Sequence, residues 1–285
     1  MRKSVKIWLI IASALVALGS VLFVAVMSVY RWDFTKLSLK KLVTKEYTVQ
    51  EDFSEITIRA DTTDISLLPS EDGVCRIVSF EYEGASLIGV QNGKLSVEES
   101  ENGKWYERIF DFSEPKMTVY LPVKEYARMQ IETSTGDIQV KNATVGELDI
   151  SVSTGDITVS KVVCTGEIKI VVTTGDTELT SVSCKSFSSQ GSTGDLELEK
   201  VIAEERLFIK RNTGDVEFDG CDAGEIFVQT TTGDVEGSLL SGKRFVANSR
   251  TGKVQVPKPV EGGTCEIQSD TGDIILRVLD EKFVD

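Results

Sequence analysis

From residue 135 onward, eight Thr-Gly pairs follow one another at intervals of 19 or 20 residues. Asp follows the pair in seven copies, and Lys253 follows it in the remaining one. The Gly and Asp residues of the seven copies are Gly136, Asp137, Gly155, Asp156, Gly175, Asp176, Gly194, Asp195, Gly214, Asp215, Gly233, Asp234, Gly272 and Asp273. An earlier, degenerate copy ends at Asp64. A fixed period of this length indicates stacked structural repeats.

Apolar side chains occupy fixed offsets from each aspartate, eight and six residues before it and one and three residues after it. In the copy around Asp215 they are Leu207, Ile209, Val216 and Phe218. Each pair has the period of two that is typical of a strand with one buried face. The parity changes between the two pairs, so a turn must intervene. Thr-Gly-Asp lies at this turn, because Gly tolerates φ > 0 and Asp and Thr bond nearby amides.

These features predict an all-β fold, a parallel β-solenoid (β-helix-like) of about 20-residue rungs. Stacking the rungs ~4.8 Å apart would join their apolar rows into one core. We expect the solenoid over residues 47–285, with an elaborated insertion at 69–126. The insertion contains Asn92-Gly93, a typical β-hairpin turn.

The N-terminal part of the chain predicts a membrane helix. Residues 7–30 carry no charge, and about 20 apolar helical residues span a bilayer core. A retained anchor is favoured over a cleaved signal peptide, whose apolar region is usually shorter. Residues 31–46 are predicted to be a juxtamembrane linker, either a solvated spacer or a segment on anionic headgroups.

Positive charges on both sides of this helix leave its orientation ambiguous. Arg2, Lys3 and Lys6 precede it, and several lysines follow it. We expect residues 1–6 in the cytoplasm and the bulk of the chain outside, which predicts a single-pass protein of the cell membrane.

The composition argues against several classes of protein. The formal charge of −14 disfavours nucleic acid as a partner. The absence of histidine removes His-based catalysis and imidazole metal sites. Five cysteines show no C-x-x-C spacing, so a metal centre is not indicated. We therefore expect no enzyme activity and no cofactor.

The turn aspartates would form a row along one corner of the solenoid. Two interpretations of this row are open. A structural turn is favoured. The alternative is calcium binding, because Ca²⁺ prefers oxygen ligands. Lys253 is expected to interrupt the row between Asp234 and Asp273. Glutamates two residues after the aspartates predict an acidic outer side, which is either solvated or meets a cationic partner.

A second set of outward positions, seven residues before the aspartate, is apolar in three successive copies. Phe208, Phe227 and Val246 stand there, and Lys210 and Gln229 lie two residues further along. Exposed apolar rows can mark binding surfaces, so these five residues are the predicted ligand face. The alternative is that the insertion or another copy of the chain covers them.

Cys164 and Cys184 share one offset in adjacent rungs. Their spacing is within disulfide reach, but buried cysteines also serve as small apolar side chains. The interpretation as small buried apolar side chains is favoured.

The sequence resembles a bacterial family of unknown function whose members are described as candidate adhesins. The matching segments are DFSEITIRADTTDISL, MTVYLPVKEYARMQIETSTGDIQV and the later Thr-Gly-Asp series. The resemblance covers roughly residues 47–280 and implies a β-solenoid at the cell surface. It brings no catalytic residues, and Lys253 departs from its pattern.

Three functions remain open at this stage. The first is a non-catalytic surface binding or adhesion module for a glycan, a cell-wall polymer or an envelope protein. The second is a structural or regulatory envelope component, for example in a stress response. The third and least favoured is a polysaccharide-active β-helix enzyme, because the acids repeat evenly instead of clustering with a base.

Overall fold

The computed structural model describes residues 3–32, 42–82, 86–99 and 115–279. Within these ranges the elements are α1 (Lys3–Val29), β1 (Leu42–Val49), β2 (Glu55–Thr62), β3 (Asp64–Pro69), β4 (Cys75–Tyr82), β5 (Ser86–Gln91), β6 (Lys94–Glu99), β7 (Lys116–Leu121), β8 (Glu125–Thr135), β9 (Ile138–Lys141), β10 (Thr144–Thr154), β11 (Ile157–Ser160), β12 (Val163–Cys164), β13 (Glu167–Thr174), β14 (Thr177–Thr193), β15 (Leu196–Thr213), β16 (Val216–Thr232), β17 (Val235–Leu239), β18 (Arg244–Thr251), β19 (Val254–Gln255), β20 (Thr264–Thr271) and β21 (Ile274–Val278).

The chain divides into two compact units, and α1 belongs to the first. Its segment Val5–Val29 has a mean hydropathy of 2.7 and enough length to cross a membrane. A signal sequence would have the same properties. The sequence therefore contains one apolar N-terminal helix, as predicted.

The second unit is the β-solenoid. Each rung contributes one strand to a sheet that we call face 1 and one to a sheet that we call face 2, with the Thr-Gly-Asp corner between them. In spatial order face 1 is β6, β2, β8, β10, β13, β14, β15, β16, β20 and β18. In the same order face 2 is β7, β3, β9, β11, β14, β15, β16, β17, β21 and β19. All these neighbours pair in parallel.

The core lies between the two faces and consists of in-register apolar rows. Ile150, Ile170 and Ile209, for example, stand six residues before their aspartates and are fully buried. β14, β15 and β16 continue without a break around a short third side of each rung. The predicted aliphatic rows and the period of two are therefore the basis of the fold.

The end of the solenoid that contains β1 departs from the expected parallel arrangement. β5 pairs antiparallel with β6, and β4 pairs antiparallel with β7. The sheet is thus mixed. The predicted insertion supplies the first rung, β6 and β7, and antiparallel strands extend it. β1 begins at Leu42, inside the stretch that was predicted to be a linker.

The opposite end contains two rungs in exchanged order. β20 and β21, which come last in the sequence, lie between β16–β17 and the terminal pair β18–β19. The inserted rung carries Ile267 and Ile274, which are fully buried, whereas Val254 on the terminal rung is 42% exposed. The more apolar rung thus has a neighbouring rung on each side. This favours the observed order, because burying apolar area stabilises the folded chain.

Candidate functional site

The corner between the two faces requires glycine at nearly every rung. Gly194 has φ +126°, and a Cβ there would lie 2.1 Å from the carbonyl oxygen of Gly175. Its N–H donates to the carbonyl oxygen of Thr213 at 3.0 Å. Both the positive φ and the close approach of neighbouring backbones exclude a larger residue.

The turn aspartates form one continuous hydrogen-bonded row. The N–H of Asp156 donates to Oδ1 of Asp137 at 2.9 Å, and the N–H of Asp176 donates to Oδ1 of Asp156 at 2.8 Å. The row runs in the order Asp64, Asp137, Asp156, Asp176, Asp195, Asp215, Asp234, Asp273, with Lys253 last. Each carboxylate therefore satisfies a backbone donor of the next rung, which is a structural role.

Lys253 does not interrupt this row, contrary to the expectation from sequence order. Asp234 and Asp273 are direct neighbours, with the N–H of Asp273 donating to Oδ1 of Asp234 at 2.7 Å. Lys253 lies on the terminal rung, and its N–H donates to Asp273. Among the described strands none pairs beyond this rung, so no backbone N–H of a further described rung needs an acceptor at position 253. The one departure from Thr-Gly-Asp thus falls where an acceptor is not needed.

Positive charges lie near the aspartate row. At its first end, Nζ of Lys116 is 3.4 Å from Oδ2 of Asp64. In its middle, the guanidinium of Arg211 is buried, donates to Oγ of Ser189 at 3.0 Å and packs against Gly191. Burial lowers the pKa of Arg211 to about 10 against the opposing effect of nearby aspartates, so the group stays protonated at neutral pH. These cations reduce the repulsion along the row, and calcium binding there stays a prediction.

Face 2 carries the predicted acidic outer side. The glutamates in register on four neighbouring rungs are Glu178, Glu197, Glu217 and Glu236. With Glu199 and Asp219 they line a groove of about 500 Å³. In the described part of the chain no group of three or more His, Cys, Asp or Glu side chains is arranged to hold a metal ion. A cationic partner for this groove stays a prediction.

Two residues of the predicted ligand face form an aromatic pair on face 1. Phe208 and Phe227 lie in register on β15 and β16, with ring centroids 5.2 Å apart and ring planes 8° from parallel. Both side chains are half-buried. The guanidinium carbon of Arg206 lies 5.6 Å from the centroid of the Phe208 ring, a cation–π distance. The pair is an ordered apolar patch on an otherwise polar surface.

The third apolar residue of the predicted ligand face, Val246, does not adjoin this pair. Because the last two rungs are exchanged, Glu266 pairs with Phe227 on one side and with Val246 on the other. The prediction of a continuous row of Phe208, Phe227 and Val246 is therefore wrong. Val246 is 53% exposed at the end of the solenoid.

The exchange brings three amide side chains together instead, next to Lys210. Lys210, Gln229, Gln268 and Asn248 lie in register on successive rungs of face 1, each five residues before the turn position. Gln229, Gln268 and Asn248 line a groove of about 360 Å³, and the ion pair of Arg250 and Asp270 also lines it. Gln268 and Asn248 share the offset of Gln229, but consecutive order would have placed Asn248 next to Gln229.

The amide row belongs to a wider strip of face 1 with very little charge, which we call the neutral band. It comprises the outward side chains five and three residues before the turn position on seven rungs. Its members are Ser151, Ser153, Val171, Thr173, Gln190, Ser192, Lys210, Asn212, Gln229, Thr231, Gln268, Asp270, Asn248 and Arg250. Only Lys210, Asp270 and Arg250 among them are charged, and the last two form an ion pair. In a chain of formal charge −14, this strip is chemically distinct from face 2.

All five cysteines are buried and present as free thiols. Cys164 and Cys184 follow Val163 and Ser183, which pair on neighbouring rungs. Burial raises the pKa of Cys184 to about 12. A thiol in this environment is unreactive and behaves as a small apolar side chain.

A family model described as Toastrack DUF4097 matches residues 53–284. The chain belongs to this family. The match confirms the resemblance inferred from the repeated turns. No curated protein matches the chain.

The Toastrack chain is also similar to solved structures. A candidate adhesin from Bacteroides fragilis has a TM-score of 0.57 and 16% identity, over 84% of this chain and 99% of its own. A candidate adhesin from Parabacteroides distasonis has a TM-score of 0.40 and 16% identity, over 84% and 98%. A protein from the same species described as lipid-binding has a TM-score of 0.37 and 12% identity, over 83% and 97%. The first likeness shows the fold alone, and the other two are too distant to carry an argument.

Proposed function

We propose that this Toastrack protein is a membrane-anchored, non-catalytic binding module of the cell surface, and that face 1 is its binding surface. The observation that carries the proposal is the ordered Phe208–Phe227 pair beside the neutral band. Aromatic side chains contribute most of the binding energy at many interfaces, where polar groups around them provide specificity.

The membrane anchor in this proposal is α1, with the solenoid outside the cell. Support for an anchor comes from the apolar length of the segment Val5–Val29. Retention of the helix places the solenoid permanently at the membrane surface.

The non-catalytic part of the proposal follows from the chemistry of the acids. The turn aspartates accept backbone amides, and the glutamates of face 2 repeat evenly from rung to rung. Catalysis by acids needs two groups in different environments so that one donates and one accepts a proton. A regular row gives its members similar surroundings and does not provide this difference.

The test is co-sedimentation of the full-length protein, in detergent micelles, with isolated bacterial cell-envelope fragments. We expect saturable binding that falls at least about tenfold in the Phe208→Ser/Phe227→Ser variant, as for central aromatic contacts at other interfaces. The matched control is Val123→Ser/Val163→Ser, which removes two exposed apolar side chains (81% and 49% exposed) outside face 1. Circular dichroism checks that both variants fold.

The assay is run with Ca²⁺ and with a chelator. Binding that requires Ca²⁺ would support the calcium reading of the aspartate row. Saturable binding that is unchanged in the phenylalanine variant would contradict face 1 as the binding surface. No binding in either condition would contradict the binding module and favour a structural or regulatory envelope component.

A further inference from the structure

The neutral band restricts the chemistry of any ligand that lies on face 1. A polyanion is held mainly by Lys and Arg, yet Lys210 and Arg250 are the two cations among the fourteen side chains of the band, and Arg250 is paired with Asp270. A polycation would gain more from the acidic groove on face 2, which six carboxylates line. An uncharged ligand with many hydroxyl groups fits the band best, because Ser, Thr, Asn and Gln side chains both donate and accept hydrogen bonds.

The aromatic pair adds a second requirement, because a ligand that contacts it also needs an apolar surface. Phe208 and Phe227 share strands with Lys210 and Gln229, two residues away, so the rings and the polar groups point to the same side of the sheet. A ligand that touches both needs an apolar surface and a hydroxyl-bearing rim within one small unit. A sugar ring has this combination, with C–H groups on its face and hydroxyls around it.

The spacing of the polar groups indicates a polymer and its direction. Lys210, Gln229, Gln268 and Asn248 stand on consecutive rungs, which lie ~4.8 Å apart. An extended chain that runs along the stack of rungs, across the strands, would meet a new polar side chain at every rung. The groove of about 360 Å³ at Gln229, Gln268 and Asn248 is large enough for a small-molecule unit.

From this geometry we propose that face 1 binds an extended, uncharged polysaccharide along the stack of rungs, with one sugar unit in the groove at Gln229, Gln268 and Asn248. The inference rests on the proposed function, since it names the ligand class of the same surface. The aromatic pair supports the chain at neighbouring rungs, and the amides select hydroxyl groups.

The experiment is isothermal titration calorimetry of the full-length protein in detergent micelles. The probes are neutral gluco- and chito-oligosaccharides from dimer to hexamer, with polyglucuronate and inorganic polyphosphate as anionic comparisons. We expect affinity to rise with chain length for at least one neutral series and to be weaker for both polyanions. Gln229→Ala/Gln268→Ala is expected to weaken binding about tenfold, the effect of losing one or two hydrogen bonds.

Gln139→Ala is the matched control, because Gln139 lies on face 2 and its loss should leave affinity unchanged. Tighter binding of the polyanions, affinity that is independent of length, or equal affinity for both variants would overturn the proposal. If envelope fragments bind through the phenylalanine pair but no neutral oligosaccharide binds, the polysaccharide inference fails and the binding module stands, with an envelope protein as its partner. If envelope fragments do not bind either, both fail.

Discussion

The middle of the solenoid and its two ends are all built from rungs with one strand in each face, but they differ in corner sequence and in rung order. From β8 to β16 the rungs stack in the order of the chain, and each corner has Gly at φ > 0 and Asp as a hydrogen-bond acceptor. At the first end a rung from the insertion precedes β2–β3, and antiparallel strands extend it. At the other end the last rung in the sequence lies inside the next-to-last.

This difference shows what each level of the sequence controls. The Thr-Gly-Asp motif determines the geometry of a corner, but it does not determine the order in which the rungs stack. The rung with Lys253 at its corner lies outside the rung that follows it in the chain. Its inward-facing Phe245 and Ala247 are only partly buried.

The largest expected effect is at a middle corner. Gly194→Ala should destabilise the fold by more than about 3 kcal/mol, because the new Cβ meets the Gly175 carbonyl and the backbone is strained. Gly93→Ala is the control at the first end, where φ is +75° and open space surrounds the position; it should cost about 1 kcal/mol. Urea unfolding measures both variants. Equal losses of unfolding free energy would show that the close contact between neighbouring backbones adds nothing to the effect at the middle corners.

The next effect compares the inserted rung with the terminal one. Ile274 and Val254 each stand one residue after the turn position, but Ile274 is fully buried and Val254 is 42% exposed. Ile274→Ala should cost about 3 kcal/mol of unfolding free energy, and Val254→Ala less than about 1 kcal/mol. A larger loss at Val254 than at Ile274 would indicate that the rungs stack in chain order.

A smaller effect is expected in the aspartate row. Asp195→Ala removes the acceptor of the Asp215 amide, a 2.8 Å bond, and should cost about 1–2 kcal/mol. Asp195→Asn keeps an acceptor oxygen and should recover most of that loss. Lys253→Ala at the terminal corner should change stability by less than about 0.5 kcal/mol. Chemical denaturation of the three variants measures this, and a cost at Lys253 equal to that at Asp195 would refute the terminal position of Lys253.

The smallest effect concerns acid sensitivity at the first end. Burial raises the pKa of the Glu81 carboxyl, but hydrogen bonds from Ser86, Ser79 and Tyr47 and the ammonium of Lys45 outweigh it and hold the pKa below its usual value. This stabilisation is complete above the unfolded-state pKa and is lost as the pH falls through the folded-state pKa. It should amount to no more than about 1 kcal/mol.

Hydrogen exchange at decreasing pH measures this effect, and strand β4 should lose protection before the middle rungs do. In Glu81→Gln this pH dependence should be weaker. An unchanged pH profile in the variant would assign the acid sensitivity to another group.

Much of the rung could be predicted from sequence, because its determinants are local. The offsets of the apolar rows and the Asn92-Gly93 turn depend on residues close in the chain, and the structure has both residues of that turn at φ > 0 between β5 and β6. Rung order could not be predicted, since spacings of 19 or 20 residues fit either order of the last two rungs. The error at Val246 and the unpredicted position of Gln268 next to Gln229 both follow from that ambiguity.

The order of the last rungs is most directly tested by disulfide trapping on face 1, since this order assembles the amide groove. The variant Gln229→Cys/Gln268→Cys joins rungs that the structure makes neighbours, ~4.8 Å apart, within the Cα separation of about 4.4–6.8 Å that a disulfide allows. The variant Gln229→Cys/Asn248→Cys joins positions two rungs apart, roughly 10 Å. Mass spectrometry after mild oxidation should find the first crosslink and not the second. The second crosslink without the first would contradict the exchanged order and the groove that depends on it.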